Sequence, residues 1–284
     1  MGPDVGEGWS GLSTVHAVTR SVRDSAALLD ASAGPEVGDP YWAPPAERPF
    51  LEEMGRSPGR LRVALVTRAF NGADTHPDCV SAAQHAAGLC ASLGHHVEEA
   101  LLATDAGAIG EAVRVIVAAN LRATLDERAQ ALGRKFTPDD VEPLTYATAA
   151  QTFDAAKYAR AIRVVHRAGR QVGRFFTRYD VLLTPTMATP PLKLGALALT
   201  NADSDAFLKN LGLTVGFTQL MNIAGNPAMS VPLFWSPQGL PVGVQFAAGF
   251  GGEATLFRIA AQLEQAQPWA DRRPEDANAA SSTP

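Results

Sequence analysis

Apolar and polar positions alternate along this chain with two different periods, and the switches between them mark out its elements. Residues 61–67 form an apolar run of strand length, residues 77–93 read as a helix that Gly94 stops, and residues 96–101 return as a strand. A strand, a helix and a strand in succession need a crossover, so these two strands are predicted to pair in parallel. Residues 105–177 are mostly helical. One or two helices cover 107–132, Pro138 starts a short one, and one or more span 144–176, with Phe153, Ala156, Tyr158, Ile162, Val165 and Val172 facing inward. Residues 179–184 are the next strand. Near the start, a helix over about 22–33 is capped by Thr19 or Ser21. Asp24 stands three beyond Ser21 in a capping-box arrangement, and Gly34-Pro35 closes the helix. Residues 34–59, rich in proline and charge, read as a surface linker. Residues 270–284, polar and rich in Ala, Ser and Pro, are expected to be disordered.

The most specific punctuation lies in residues 217–246. An apolar stretch over 214–223 is stopped by Asn222-Ile223-Ala224-Gly225-Asn226-Pro227, because Gly225 tolerates positive φ and Pro227 has no N–H to donate. Residues 228–234 then form a short strand, Ser236-Pro237-Gln238-Gly239 fits a type I turn, and residues 241–246 return as its partner. Gly243 marks a bulge or a close approach to this hairpin. Residues 252–265 place Leu256, Ile259, Ala260 and Leu263 at helical spacing, so a last amphipathic helix covers the sheet. The pattern as a whole is α/β.

Composition narrows the classes. With 284 residues, 46% of them hydrophobic and 19% charged, the chain can bury one large core, or one large and one small. A net charge of −5 argues against a basic stripe and hence against nucleic acid as a partner. Cys79 and Cys90 are too far apart for a C-x-x-C site and fit buried thiols in a reducing compartment. No apolar run reaches membrane-span length and no signal-peptide pattern opens the chain, so a cytoplasmic protein without a membrane partner is expected.

Three blocks in fixed order resemble the amidase signature family of Ser, cis-Ser and Lys amidohydrolases. They are Gly11 to Asp24 with the following Ala26-Ala27-Leu28-Leu29-Asp30, then Tyr179-Asp180-Val181-Leu182-Leu183-Thr184-Pro185-Thr186, and finally Gly225-Asn226-Pro227-Ala228 with Gly239-Leu240-Pro241-Val242-Gly243-Val244-Gln245. Residues 15–45 are most similar to a bacterial subgroup of aryl-acylamidases and 6-aminohexanoate-cyclic-dimer hydrolases. The resemblance implies a mixed sheet flanked by helices, hydrolysis of carbon–nitrogen bonds in a small amide substrate, and no cofactor or metal. It also implies a departure. In the family, the catalytic Lys and the Gly/Ser-rich serine segment precede the region matched by Gly11 to Asp24. Here Lys135, Lys157, Lys193 and Lys209 stand in no S-x-x-K pattern, and no G-G-S-S or G-x-S-x-G occurs. Residues 1–269 are therefore expected to be the C-terminal portion of an amidase domain, incomplete on its N-terminal side. It carries no catalytic residue and pairs with a missing N-terminal segment, unless the chain is an inactive truncated homologue or binding module.

By the same resemblance, Val215, Phe217, Thr218 and Gln219 correspond to an acyl-group channel; Asn222 is placed to orient a loop at the pocket, and Thr184-Pro185-Thr186 ends a strand where α/β folds gather binding loops. Asp24 supports a network bracing the nucleophile loop. Each also has a plainer role: helix core for the 215–219 group, helix cap for Asn222, a turn for Thr184, and a first-turn carboxylate for Asp24. Asp74-Thr75-His76-Pro77-Asp78 has metal-ligand residue types but reads better as a helix start. His16, His85 and His166 have no partner at catalytic spacing in sequence.

Overall fold

In the computed structural model of the chain, which describes residues 6–201 and 203–274, five strands form one mixed sheet. Strands β1 (Arg62–Leu65), β2 (His96–Glu99), β3 (Val181–Pro185), β4 (Ala228–Trp235) and β5 (Pro241–Ala248) lie side by side in the order β2-β1-β3-β5-β4. The predicted parallel pairing of β1 with β2 is present, and β1 also pairs in parallel with β3. Beyond β3 the direction reverses, since β5 runs antiparallel to both β3 and β4.

Helices cover both faces. On one face α3 (Pro77–Ser92) and α9 (Glu253–Ala266) bury Val63, Leu183, Val244 and Phe246. Small side chains along α3, among them Ala82, Ala83 and Ala86, let the helix lie close to the sheet. Cys79 and Cys90 are fully enclosed there, and burial pushes their thiols up to about 11 and about 12, so they remain protonated and inert at neutral pH. The other face packs Ala64, Leu182 and Ala247 beneath α4 (Ala106–Ala131), α6 (Ala155–Phe175) and α8 (Gln219–Ala224). The helical stretch after residue 105 thus resolves into α4, a 3-10 turn at Pro138–Asp140, α5 (Pro143–Ala149) and α6. The remaining helices are α1 (Val22–Ser32), α2 (Phe50–Glu53) and α7 (Ser204–Val215).

Local chemistry explains the boundaries. The Ser21 hydroxyl accepts the Asp24 N–H and caps α1. His76 caps α3 in the same way through the Asp78 N–H, with Pro77 in the first turn. Gly225, at φ 70°, ends α8 in the left-handed conformation. Gly239, at φ 75°, closes the turn between β4 and β5 by donating to the Ser236 carbonyl at 2.9 Å.

Three expectations need correction. Residues 34–59 are more than a linker, because after Pro49 the Asp30 carboxylate of α1 accepts the N–H groups of Phe50 and Leu51 at 2.6 and 2.9 Å and starts a short helix, α2. Its Phe50 packs on Phe257 with ring centroids 5.5 Å apart, and its Glu53 is 1% exposed. Ala156 does not face inward. It sits on the first turn of α6 on the exposed side, and Ala161, Ala168 and Val172 form the inner edge instead. The absence of a basic stripe, inferred from net charge, also fails, because the charge is unevenly placed. Helix α6 carries Lys157 and five arginines and no carboxylate. The polar tail beyond residue 274 lies outside the described residues.

Candidate functional site

The face of the sheet under α6 and α8 turns polar at one end. Antiparallel neighbours directly opposite each other project to the same face, and here Ser230 opposes Gln245, which opposes Thr184. Thr184 is fully buried and Gln245 is 3% exposed. The Gln245 side-chain amide donates to Thr184 Oγ1 at 3.1 Å and to the Phe217 carbonyl at 3.3 Å. The Thr184 hydroxyl donates in turn to the Pro185 carbonyl at 2.7 Å. A buried amide without partners would be costly, so this glutamine holds the end of β3 against the junction between α7 and α8.

Two further hydroxyls extend the patch outward. Thr186 Oγ1 and Ser230 Oγ are 2.7 Å apart, and Gly243 leaves the room they occupy. A Cβ at Gly243 would stand 2.6 Å from Ser230 Oγ and 3.1 Å from Thr186 Oγ1. The close approach expected at this glycine is therefore made by side-chain hydroxyls. Thr186 was singled out by sequence together with Thr184 and Pro185, whereas Ser230 and Gln245 were given no site role, although alternation along β4 and β5 places Ser230, Gly243 and Gln245 on one face.

The residues singled out by sequence fall into three groups. Val215, Phe217, Thr218 and Gln219 flank the junction, with Phe217 fully buried and packed edge-on against Phe70 at 5.8 Å, beside Ala69 and Ala188. Gly216 allows that packing, since a Cβ there would meet Ala69 at 3.1 Å. Thr184 joins this group through Gln245. Asn222 stands apart: its amide donates to the Leu12 carbonyl at 3.3 Å and ties down the first described segment, while Gly225 and Asn226 finish the helix. Asp24 is in neither group. It is exposed on the first turn of α1, where the Ser21 hydroxyl and then the Arg23 guanidinium hold its carboxyl below the usual range.

What this patch can do is bind and orient. The hydroxyls of Thr186 and Ser230 bond to each other, with no imidazole, lysine or carboxylate partner among the described residues, so neither is activated as a nucleophile. One imidazole does reach a serine: His16 Nε2 lies 3.0 Å from Ser25 Oγ. That pair is exposed, and no third group among the described residues orients the ring. His85 bonds to Gln267, and His95 to Gln262 and the Leu61 N–H. Among the described residues no cluster of three or more His, Cys, Asp or Glu is placed to hold a metal ion, and no helix is long and apolar enough to cross a membrane.

A sequence model of the Amidase family matches residues 5–257. The 6-aminohexanoate-cyclic-dimer hydrolase of Paenarthrobacter ureafaciens is 34% identical over 276 residues, which are 93% of this chain and 56% of that protein. A putative amidase, AmiC, of Mycobacterium leprae is 33% identical over 89% of this chain and 52% of its own length. The solved structure of a 6-aminohexanoate cyclic dimer hydrolase complexed with substrate superposes with a TM-score of 0.83 at 32% identity, covering 90% of this chain and 55% of that one. A bacterial aryl acylamidase of the amidase signature family shares the fold, with a TM-score of 0.75 at 19% identity. The chain spans about half the length of the curated relatives it matches.

Proposed function

The chain belongs to the amidase signature family, and from that premise we propose that it serves the hydrolysis of carbon–nitrogen amide bonds by forming walls of the substrate pocket. Val215, Thr218 and Gln219 line the acyl side in this reading with the buried Phe217 backing them from the core, Thr184 closes the end of β3, and Asn222 holds the neighbouring segment. Asp24 braces the nucleophile loop through its exposed carboxylate. The chemistry comes from a Ser, cis-Ser and Lys segment that these 284 residues do not contain. A serine of that segment attacks the amide carbonyl, the amine leaves as the acyl-enzyme forms, and water then releases the acid. The observation that carries the reading is the Gln245 amide, bonded to both Thr184 and the Phe217 carbonyl, which draws two separately predicted pocket pieces to one place.

A small cyclic amide is the favoured substrate class, because relatives at 34% and 33% identity carry the name 6-aminohexanoate-cyclic-dimer hydrolase. The test is turnover of 6-aminohexanoate cyclic dimer and of a simple anilide by the 284-residue chain, alone and mixed with the complementary N-terminal part of the Paenarthrobacter enzyme. No turnover alone and measurable turnover on mixing is the expected result. Turnover by the chain alone that one serine substitution abolishes would overturn it. Silence in both conditions would favour an inactive homologue.

A further inference from the structure

Helix α6 carries a ladder of cations that the hydrolytic reading does not use. Arg160, Arg163, Arg167, Arg170 and Arg174 recur in steps of three and four, so they form one exposed row along the helix. At 1.5 Å of rise per residue the row is about 21 Å long, with a guanidinium roughly every 5 Å. Among the described residues, Arg160 has a carboxylate at 4.0 Å, Asp154, and Lys157 pairs with Glu111 at 2.8 Å. The other four arginines have no carboxylate within 4.0 Å among those residues. Like charges at this spacing repel one another, so the row is a cost to the isolated helix.

Beside the row runs an open groove of about 590 Å³ between α6 and α8. Val165, Ile223 and Ala224 line it with apolar surface, Gly169 and Gly173 keep it shallow-sided, and Arg170 and Arg174 stand on its rim. A Cβ at Gly173 would meet nothing within 4 Å, so a neighbour can approach the α6 backbone there.

We propose that this face docks an acidic, amphipathic helical segment of a polypeptide, its carboxylates on the arginine row and its small apolar side chains in the groove. Charge complementarity selects an anion, and the guanidinium fork matches a carboxylate in bidentate fashion. The groove selects a helix, because carboxylates three and four residues apart on a partner helix repeat at the same interval as the arginines. A nucleic acid fits less well. The chain as a whole is acidic, at −5, and the aromatic residues of α6, Tyr158 and Phe175, are partly or wholly buried and offer no stacking platform. A membrane fits less well too, since Ala161, Ala168, Val172 and Phe175 turn their apolar surface into the core.

The probe is a fluorescein-labelled peptide of about 20 residues, long enough to span the row, built from repeats of Glu-Leu-Ala-Glu-Ala-Leu-Ala. Its binding to the 284-residue protein is read by anisotropy against salt concentration. Binding should weaken as salt rises and fall roughly tenfold or more when Arg167→Glu, Arg170→Glu and Arg174→Glu are combined. The same three positions changed to lysine should retain most of it. If the reversed protein melts differently from its parent, Arg→Gln changes at these exposed positions serve in its place. The proposal is overturned if the peptide does not bind at low salt, if the reversed protein binds it equally, or if a peptide of the same composition with its glutamates gathered at one end binds as well. It is also overturned if a single-stranded RNA or a phosphatidylserine vesicle is bound in preference.

Discussion

Gly243 shows how one missing side chain shapes the polar end of the sheet. Both hydroxyls that meet there occupy the volume a Cβ would need, so Gly243→Ala must displace Ser230, Thr186 or the β5 backbone. The expected loss is ~1–3 kcal/mol, the range for adding a methyl group to a packed site. The double substitution Gly243→Ala with Ser230→Ala removes the nearer oxygen and should recover part of that loss, a coupling that thermal melts of the parent, the two single variants and the double variant would measure. Little of this was legible in the sequence. The glycine itself announced a close approach, but the groups that approach it come from residues 13 and 57 positions away along the chain, and neither Ser230 nor Thr186 bears any local mark of its partner. Gln245 is the same case, with partners on β3 and at the α7–α8 junction that only the folded register brings near.

Elements that close on themselves were read well, and those that depend on a remote partner were not. The stop at Gly225, the turn at Ser236 to Gly239 and the inward face of α9 are all decided within a few residues, and each stands where it was expected. Helix α2 was missed because its reason for existing lies elsewhere. The Glu53 carboxylate accepts from Arg258 of α9 at 2.6 Å and from Arg48 at 2.7 Å, the Asp30 carboxylate of α1 accepts the first N–H groups of the helix, and Phe50 packs on Phe257, so most of what holds this four-residue helix comes from other elements. The Arg258 hydrogen bond, with Arg48 adding to it, holds the Glu53 carboxyl below the usual range against the opposing effect of burial. Because the folded value is depressed, the stabilisation is complete above the ordinary carboxylate range and drains away as pH falls through the folded value. Glu53→Gln should therefore cost ~2 kcal/mol at pH 7, less than a fully enclosed ion pair because both guanidinium groups keep about a quarter of their exposure. The deficit should shrink towards acid, and urea melts at pH 7 and pH 4 would register it. The arginine row on α6 was hidden for a different reason: net charge sums over the whole chain, whereas a stripe depends on three- and four-residue spacing.

At the scale of the molecule, the sheet joins two halves of opposite construction. The parallel half, β2-β1-β3, is assembled across long crossovers, and the antiparallel half, β3-β5-β4, contains a hairpin closed by a tight turn. Val63 lies opposite Val181, at a separation of 118 residues, whereas Val231 lies opposite Val244 only 13 residues on. Closing the longer loop costs more chain entropy before any contact repays it. Pulsed hydrogen exchange during refolding should find amides of β5 protected before those of β1, and the reverse order would refute this sequence of events. Strand β3 therefore has a place in time as well as in space: bordered by β1 on one side and β5 on the other, it is where the early-forming part of the chain must wait for the late one.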